Sequence, residues 1–206
     1  MGCGCCSHAS TEKDTLRVTI VGLENSGKTS LVQCLKTSKK SRQTSLCVST
    51  HGVISINIQT NMNFLVFDCG GCKHQRHIWP HIMNSPDVIL FAVDSMDLTC
   101  LNDAREALSD LLVDENLINK PLLVIFTKSD RENKLSIDQL EQTLDLSVIK
   151  DRSVHTVLFS SVTLEGLTTI REWLTYFSYR KLQGKDMNIS TSERHRLLHS
   201  LNLSTA

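Results

Sequence analysis

Short apolar runs alternate along the chain with stretches whose apolar residues recur three and four positions apart. Leu16-Arg17-Val18-Thr19-Ile20-Val21 reads as a strand, and Thr29 to Thr37 as a helix with Leu31, Val32 and Leu35 on one face. Val53 to Ile58 alternates strictly, Asn61-Met62-Asn63 supplies a turn, and Phe64 to Phe67 returns as the second arm of a hairpin. The strand Asp87 to Val93, with its apolar run Val88–Val93, and the run Leu122 to Phe126 are of the kind buried on both faces. Helical spacing appears over Leu101–Val113, near Ser136–Leu144 and from Leu164 to about Leu182; Val154 to Phe159 is a further strand. Alternation of this kind predicts an α/β domain: a mostly parallel six-stranded sheet with one antiparallel strand and helices on both faces. Residues 183–206 are polar, with a short helix around Arg196–Leu201, and read as a tail.

Composition narrows the class. The chain has 206 residues, 40% hydrophobic and 21% charged, which suits one α/β domain with short extensions. Lys and Arg together number 22, as do Asp and Glu, so the net charge is zero and non-specific nucleic-acid binding is not expected. The longest apolar runs are too short to cross a bilayer, and the N-terminus carries no secretory apolar stretch. Eight cysteines in a chain of this size read as thiols of a reducing, cytoplasmic compartment.

Between the first strand and the first helix lies Gly22-Leu23-Glu24-Asn25-Ser26-Gly27-Lys28-Thr29, followed by Ser30. It matches G-x-x-x-x-G-K-[ST] at every fixed position, in the strand–loop–helix context the motif needs. Loop N–H groups and the positive end of the helix converge on phosphate oxygens. Lys28 is expected to reach the β- and γ-phosphates, and the Thr29 hydroxyl to ligate Mg²⁺.

Thr127-Lys128-Ser129-Asp130 follows the strand Leu122–Phe126 and resembles the [NT]-K-x-D guanine-recognition motif of small GTPases. A carboxylate at Asp130 can accept two charge-assisted bonds from guanine N1–H and the 2-amino group, a donor pair adenine lacks. The stem of Lys128 is expected along the base. Ser160-Ser161-Val162 stands where those proteins place the loop whose amide touches the guanine oxygen.

With these pieces placed, residues 15–182 resemble the Arf-like branch of the Ras superfamily. The shared segments are the phosphate loop with Glu24, Asp68-Cys69-Gly70-Gly71, Arg76 and Trp79, Val93-Asp94-Ser95-Met96-Asp97, Ala104-Arg105-Glu106 and Gly2. The resemblance implies a P-loop GTPase fold, binding GTP or GDP with Mg²⁺. It also implies that Thr50 is the first-switch metal ligand and γ-phosphate sensor. Asp68 would hold Mg²⁺ through water, and the Gly71 amide would contact the γ-phosphate. The expected partners are effectors, exchange factors and GTPase-activating proteins acting through the switches. Domain limits follow: an N-terminal lipid-anchor arm over 1–15, the G domain over 16–182 and the tail over 183–206.

Three departures bear on mechanism. The family has Gln after the second glycine of D-x-G-G, where its carboxamide orients the attacking water. Here that residue is Cys72, and a thiol is a weak donor and acceptor, so slow unaided hydrolysis is expected. Thr127 replaces the commoner Asn and implies weaker nucleotide affinity. Ser49 precedes Thr50 where proline is usual. The expected function is thus a guanine-nucleotide switch recruiting effectors at a membrane. The alternative is a pseudo-GTPase interaction module that binds nucleotide without turnover. A different P-loop enzyme would require indifference to guanine.

Gly2 fits N-myristoylation once Met1 is removed, although Cys6 stands where Ser or Thr is usual and Ser7 falls one place late. Cys3, Cys5 and Cys6 are candidate palmitoylation sites, and two acyl chains anchor where one is marginal. A frayed, unmodified terminus and a metal site with His8 are the alternatives. The expected location is the cytosolic face of a membrane. Lys36–Arg42 reads as a solvated basic loop. Cys72, His74, His77 and His81 read as polar residues of an exposed surface rather than a metal or thiol site, with Pro80 breaking any helix among them.

Overall fold

A computed structural model of the chain describes residues 15–37, 49–82, 86–96, 98–132, 135–201 and 204–205. The lipidation candidates Gly2, Cys3, Cys5 and Cys6, most of the basic loop and Asp97 lie outside the described residues.

The apolar runs become strands β1 (Thr15–Gly22), β2 (Val53–Gln59), β3 (Asn63–Cys69), β4 (Val88–Asp94), β5 (Leu122–Thr127) and β6 (Val154–Leu158). The sheet order is β2-β3-β1-β4-β5-β6, with β2 antiparallel to β3 and the others parallel. This is the expected six-stranded sheet, extended by a two-residue strand β7 (Ser204–Thr205) antiparallel to β6.

Period-two alternation divides the core. Leu16, Val18, Ile20, Leu90, Leu123 and Ile125 point to one face, where α1 (Lys28–Lys36) and α5 (Leu167–Leu182) bury Leu31, Leu35, Trp173 and Phe177. Val21, Ile89, Phe91, Val124 and Phe126 point to the other, against Leu101 and Leu108 of α3 (Leu98–Leu112) and Leu140 of α4 (Ile137–Thr143). α4 begins at a capping box: Ser136 Oγ accepts from the Gln139 amide at 3.3 Å, and Gln139 Oε1 accepts from the Ser136 amide at 3.0 Å. Arg171 on α5 donates to Cys34 O in the last turn of α1 at 2.8 Å and to Thr37 O, just past that helix, at 2.6 Å. Those groups have no partner within their own helix, so the bonds fix α1, and the loop before it, against the core.

Two segments differ from the sequence expectation. After β3, a 3₁₀ helix (Lys73–Ile78) runs into the four-residue α2 (Trp79–Ile82). Pro80 falls in the first turn of α2, where its missing N–H costs nothing, so it opens a helix rather than breaking one. The second difference is the C-terminal segment, where α6 (Thr191–Leu201) packs on the domain with Ile189 and Leu197 in the core. Arg180 of α5 holds this segment through Asp186 O at 2.6 Å and Glu193 Oε1 at 3.0 Å. A second capping box, Ser190 with Glu193, starts α6, and the S-x-x-E spacing was its signal in the sequence.

Candidate functional site

The carboxyl ends of β1, β3, β4, β5 and β6 carry the candidate residues, where open α/β sheets place ligands. The loop after β1 is shaped by two glycines. Gly22 has φ 143°, and a Cβ there would run into the Ala92 carbonyl. Gly27 has φ 80°, a left-handed conformation just before α1. Glu24 and Asn25 are exposed, while Leu23 and Ser26 are buried.

Lys28 is 6% exposed and folds back under the loop. Its ammonium donates to Leu23 O at 2.6 Å and Gly22 O at 3.0 Å. Burial lowers its pKa to about 8, opposed by the charge of Asp68. Negative oxygens beside the loop would favour the ammonium form.

Thr29, Thr50 and Asp68 come from α1, the segment before β2, and β3, and their oxygens meet. Thr29 Oγ1 donates to Asp68 Oδ2 at 2.7 Å and lies 3.0 Å from Thr50 Oγ1. Asp68 is buried, which raises its pKa; the Thr29 bond, the Lys28 charge and the Thr50 bond pull it down. Its second oxygen, Oδ1, is buried without a hydrogen-bond partner. Hydroxyl and carboxylate oxygens with one orphaned buried acceptor fit a hard divalent cation that keeps part of its water. By contrast, no group of three or more His, Cys, Asp or Glu among the described residues is arranged to hold a metal.

Glu24, Gly27, Lys28, Thr29, Ser30, Ser49, Thr50, His51, Gly71 and Cys72 line one cavity of about 240 Å³, together with Asn25. Ser49 Oγ donates to Glu24 Oε1 at 2.9 Å, tying the segment before β2 to the phosphate loop. Gly71 packs so closely on the loop that a Cβ there would lie 2.5 Å from the Leu23 carbonyl carbon. The Gly70 carbonyl accepts from Trp79 Nε1 at 3.0 Å, and Trp79 is buried, so it acts as a plug holding this turn. Cys72 is half-buried and a free thiol. His74, His77 and His81 are exposed.

The other end of the site follows β5. Thr127 is buried; its hydroxyl donates to Ser26 O at 2.9 Å, with Val93 O at 3.1 Å. A side chain shorter than Asn therefore still binds the β5 loop to the phosphate loop. Lys128 has φ 60° and pairs with Asp94 Oδ2 at 2.6 Å. Asp130 is exposed, and its Oδ1 accepts from Ser160 Oγ. The same hydroxyl accepts the amides of Val162 and Thr163 at 3.1 Å each. Ser160 opens the turn expected at the guanine oxygen, and its hydroxyl organises both Asp130 and the Ser161–Val162 backbone, a role the sequence does not show. Ser161 and Val162 are exposed there, with the Val162 amide engaged by Ser160.

The model of the ADP-ribosylation factor family matches residues 5–177. ADP-ribosylation factor-like protein alp41 of Schizosaccharomyces pombe is 33% identical over 153 residues, covering 74% of this chain and 79% of that protein. ADP-ribosylation factor-like protein 3 of Chlamydomonas reinhardtii is 30% identical over 158 residues, covering 77% and 88%. Among solved structures, the Arl6 BBS3 small GTPase from Trypanosoma brucei with bound nucleotide analogue GppNp aligns with a TM-score of 0.73. That alignment, at 24% identity, covers 81% of this chain and 99% of the other and speaks to the fold.

Proposed function

The chain belongs to the ADP-ribosylation factor family, and from that premise we propose that it is a guanine-nucleotide switch that holds GTP or GDP with Mg²⁺. One observation carries the reading: Thr29, Thr50 and Asp68 converge beneath the phosphate loop with Asp68 Oδ1 left for a further partner. When bound, Mg²⁺ neutralises charge on the β- and γ-phosphates. Loop amides and Lys28 cradle the phosphates, and the Gly71 amide faces the γ-phosphate. Asp130, aligned by Ser160, reads the guanine edge, with Lys128 along the base and the Ser161 amide at its oxygen.

Switching follows from where the ligands stand. Thr50 is on the segment before β2, and Gly71 and Cys72 are on the segment after β3. A γ-phosphate that engages Thr50 and Gly71 orders both segments together, and its loss releases both. Effectors, exchange factors and GTPase-activating proteins read those segments. Unaided hydrolysis is slow because Cys72 offers no carboxamide to orient water. A partner's arginine can raise the rate by ~10³–10⁵. The N-terminal arm, through Gly2 and the neighbouring Cys3, Cys5 and Cys6, holds the switch on the cytosolic face of a membrane.

Two experiments test this reading. In a titration of GTP with and without Mg²⁺, Thr29→Asn should lose the Mg²⁺-dependent part of the affinity; an unchanged Mg²⁺ effect refutes the metal assignment. In cell fractionation, Gly2→Ala should move the protein from membranes to the soluble fraction. Retention on membranes would end the lipid-anchor argument.

A further inference from the structure

We propose that His51, held by Gln75, donates a hydrogen bond to the γ-phosphate during GTP hydrolysis, in place of the carboxamide that Cys72 lacks; this rests on the guanine-nucleotide reading. His51 lines the same cavity wall as Thr50, Gly71 and Cys72. It directly follows Thr50, whose hydroxyl is fixed 3.0 Å from Thr29 Oγ1, so the imidazole is tied to the metal-binding oxygens through one peptide unit.

Gln75 sets the ring's chemistry. Its Nε2 lies 3.2 Å from His51 Nδ1. With Gln75 Nε2 as donor, His51 Nδ1 accepts, and the ring N–H left for a ligand is the one on Nε2. Gln75 is itself anchored: its amide donates to Cys72 O at 2.9 Å. Its carboxamide oxygen is buried against Gly70, where any Cβ would collide with it and stand 2.6 Å from Thr50 O. Gly70 thus makes room for a side chain three residues beyond Cys72 to reach the segment before β2. His51 thus brings a ring N–H donor to the cavity that Gly71 and Cys72 line, with Gln75 of the other switch segment bonded to its ring.

In the reaction, water forms a bond to the γ-phosphorus as the bond to the bridging oxygen of GDP breaks. The proton released by water goes to the inorganic phosphate product. His51 neither gains nor loses a proton overall; its N–H stabilises charge on a γ-phosphoryl oxygen, as preorganised donors do. His51 is then a catalytic residue, and Gln75 a positioning residue that acts through it.

The test uses the full chain loaded with GTP, read by single-turnover hydrolysis, by GDP affinity, and by the ³¹P resonance of the γ-phosphate in bound GppNHp. His51→Ala should slow hydrolysis about tenfold, shift the γ-phosphate resonance and leave GDP affinity within about twofold. His51→Gln, which restores an N–H donor, should recover part of the rate. Gln75→Ala should slow hydrolysis about threefold alone and add nothing to His51→Ala, the non-additivity expected of one residue acting through another. His77→Ala, an exposed neighbour, should match the parent protein. Hydrolysis and resonance unchanged in His51→Ala, or no hydrolysis by the parent protein with GTP bound, overturns the inference. Failure to bind any guanine nucleotide would instead overturn the reading beneath it.

Discussion

The two ends of the nucleotide cleft are built differently. At the phosphate end, Lys28 and Asp68 are buried, and their partners come from β1, α1 and β3 at the centre of the fold. At the base end, Asp130 and Ser161 are exposed, and Val162 is 78% exposed. What order that end has comes from two hydroxyls, Thr127 and Ser160, acting between loops. On the proposed reading, affinity for phosphate would rest on buried core residues, and selection of the base on a few polar contacts at the rim. Mutations at the base end should change which nucleotide binds with little effect on folding, and mutations at the phosphate end should disturb both.

The largest expected effect is at the rim itself. If Asp130 reads guanine as proposed, Asp130→Ala removes two charge-assisted bonds, each worth ~1.5–3 kcal/mol. GTP affinity should fall at least about a hundredfold, while inorganic tripolyphosphate with Mg²⁺ competes as well as before. A parallel loss of tripolyphosphate binding would mean that the two ends are not separable.

Thr127→Ala should have an intermediate effect. It deletes the hydrogen bonds to Ser26 O and Val93 O, at about 1–3 kcal/mol together. Guanine-nucleotide affinity should fall about tenfold and the denaturant midpoint should drop as well, because this hydroxyl joins the two ends. An effect on affinity with no effect on stability would make the tether a feature of the rim alone.

The smallest effect concerns the sheet beneath the base end. His155 on β6 is buried; burial, with Arg194 nearby, lowers its pKa from 6.5 to about 3. Its Nδ1 accepts from Trp173 Nε1 at 3.3 Å. The unfolded chain takes up a proton near pH 6.5 and the folded chain does not. Stability is therefore full above that pH and falls as pH drops toward 3, by at most ~1.4 kcal/mol per unit. Chemical denaturation from pH 7 to pH 5 should show this loss, and His155→Gln should show a shallower one. Equal slopes would remove His155 from the acid response.

The phosphate end was legible in the sequence because its geometry is local. Gly22, Gly27, Lys28 and Thr29 are fixed by the backbone of one turn, and the strand and helix on either side are strongly periodic. Asp68 and Thr127–Asp130 were legible from short motifs at the ends of apolar runs. Ser160 is legible as part of the loop expected at the guanine oxygen, but its tie to Asp130 is not, because a serine hydroxyl organising two loops has no spacing signature of its own. The full length of the C-terminal helix is hard to read from the sequence because its Ser190–Glu193 cap stands within a polar stretch and its buried residues, Leu197 and Leu198, are few. β7 has two residues, too few for any pattern. The His51–Gln75 contact joins residues 24 positions apart, and only the packing of Gly70 and Gln75 against the segment before β2 reveals it.

The measurement that bears most directly on the account is the identity and phosphorylation state of the nucleotide released from the protein purified from cells. One guanine nucleotide per chain is expected, with GTP a substantial share if the missing carboxamide at Cys72 slows hydrolysis as proposed. Release of adenine nucleotide, or of none, would contradict it.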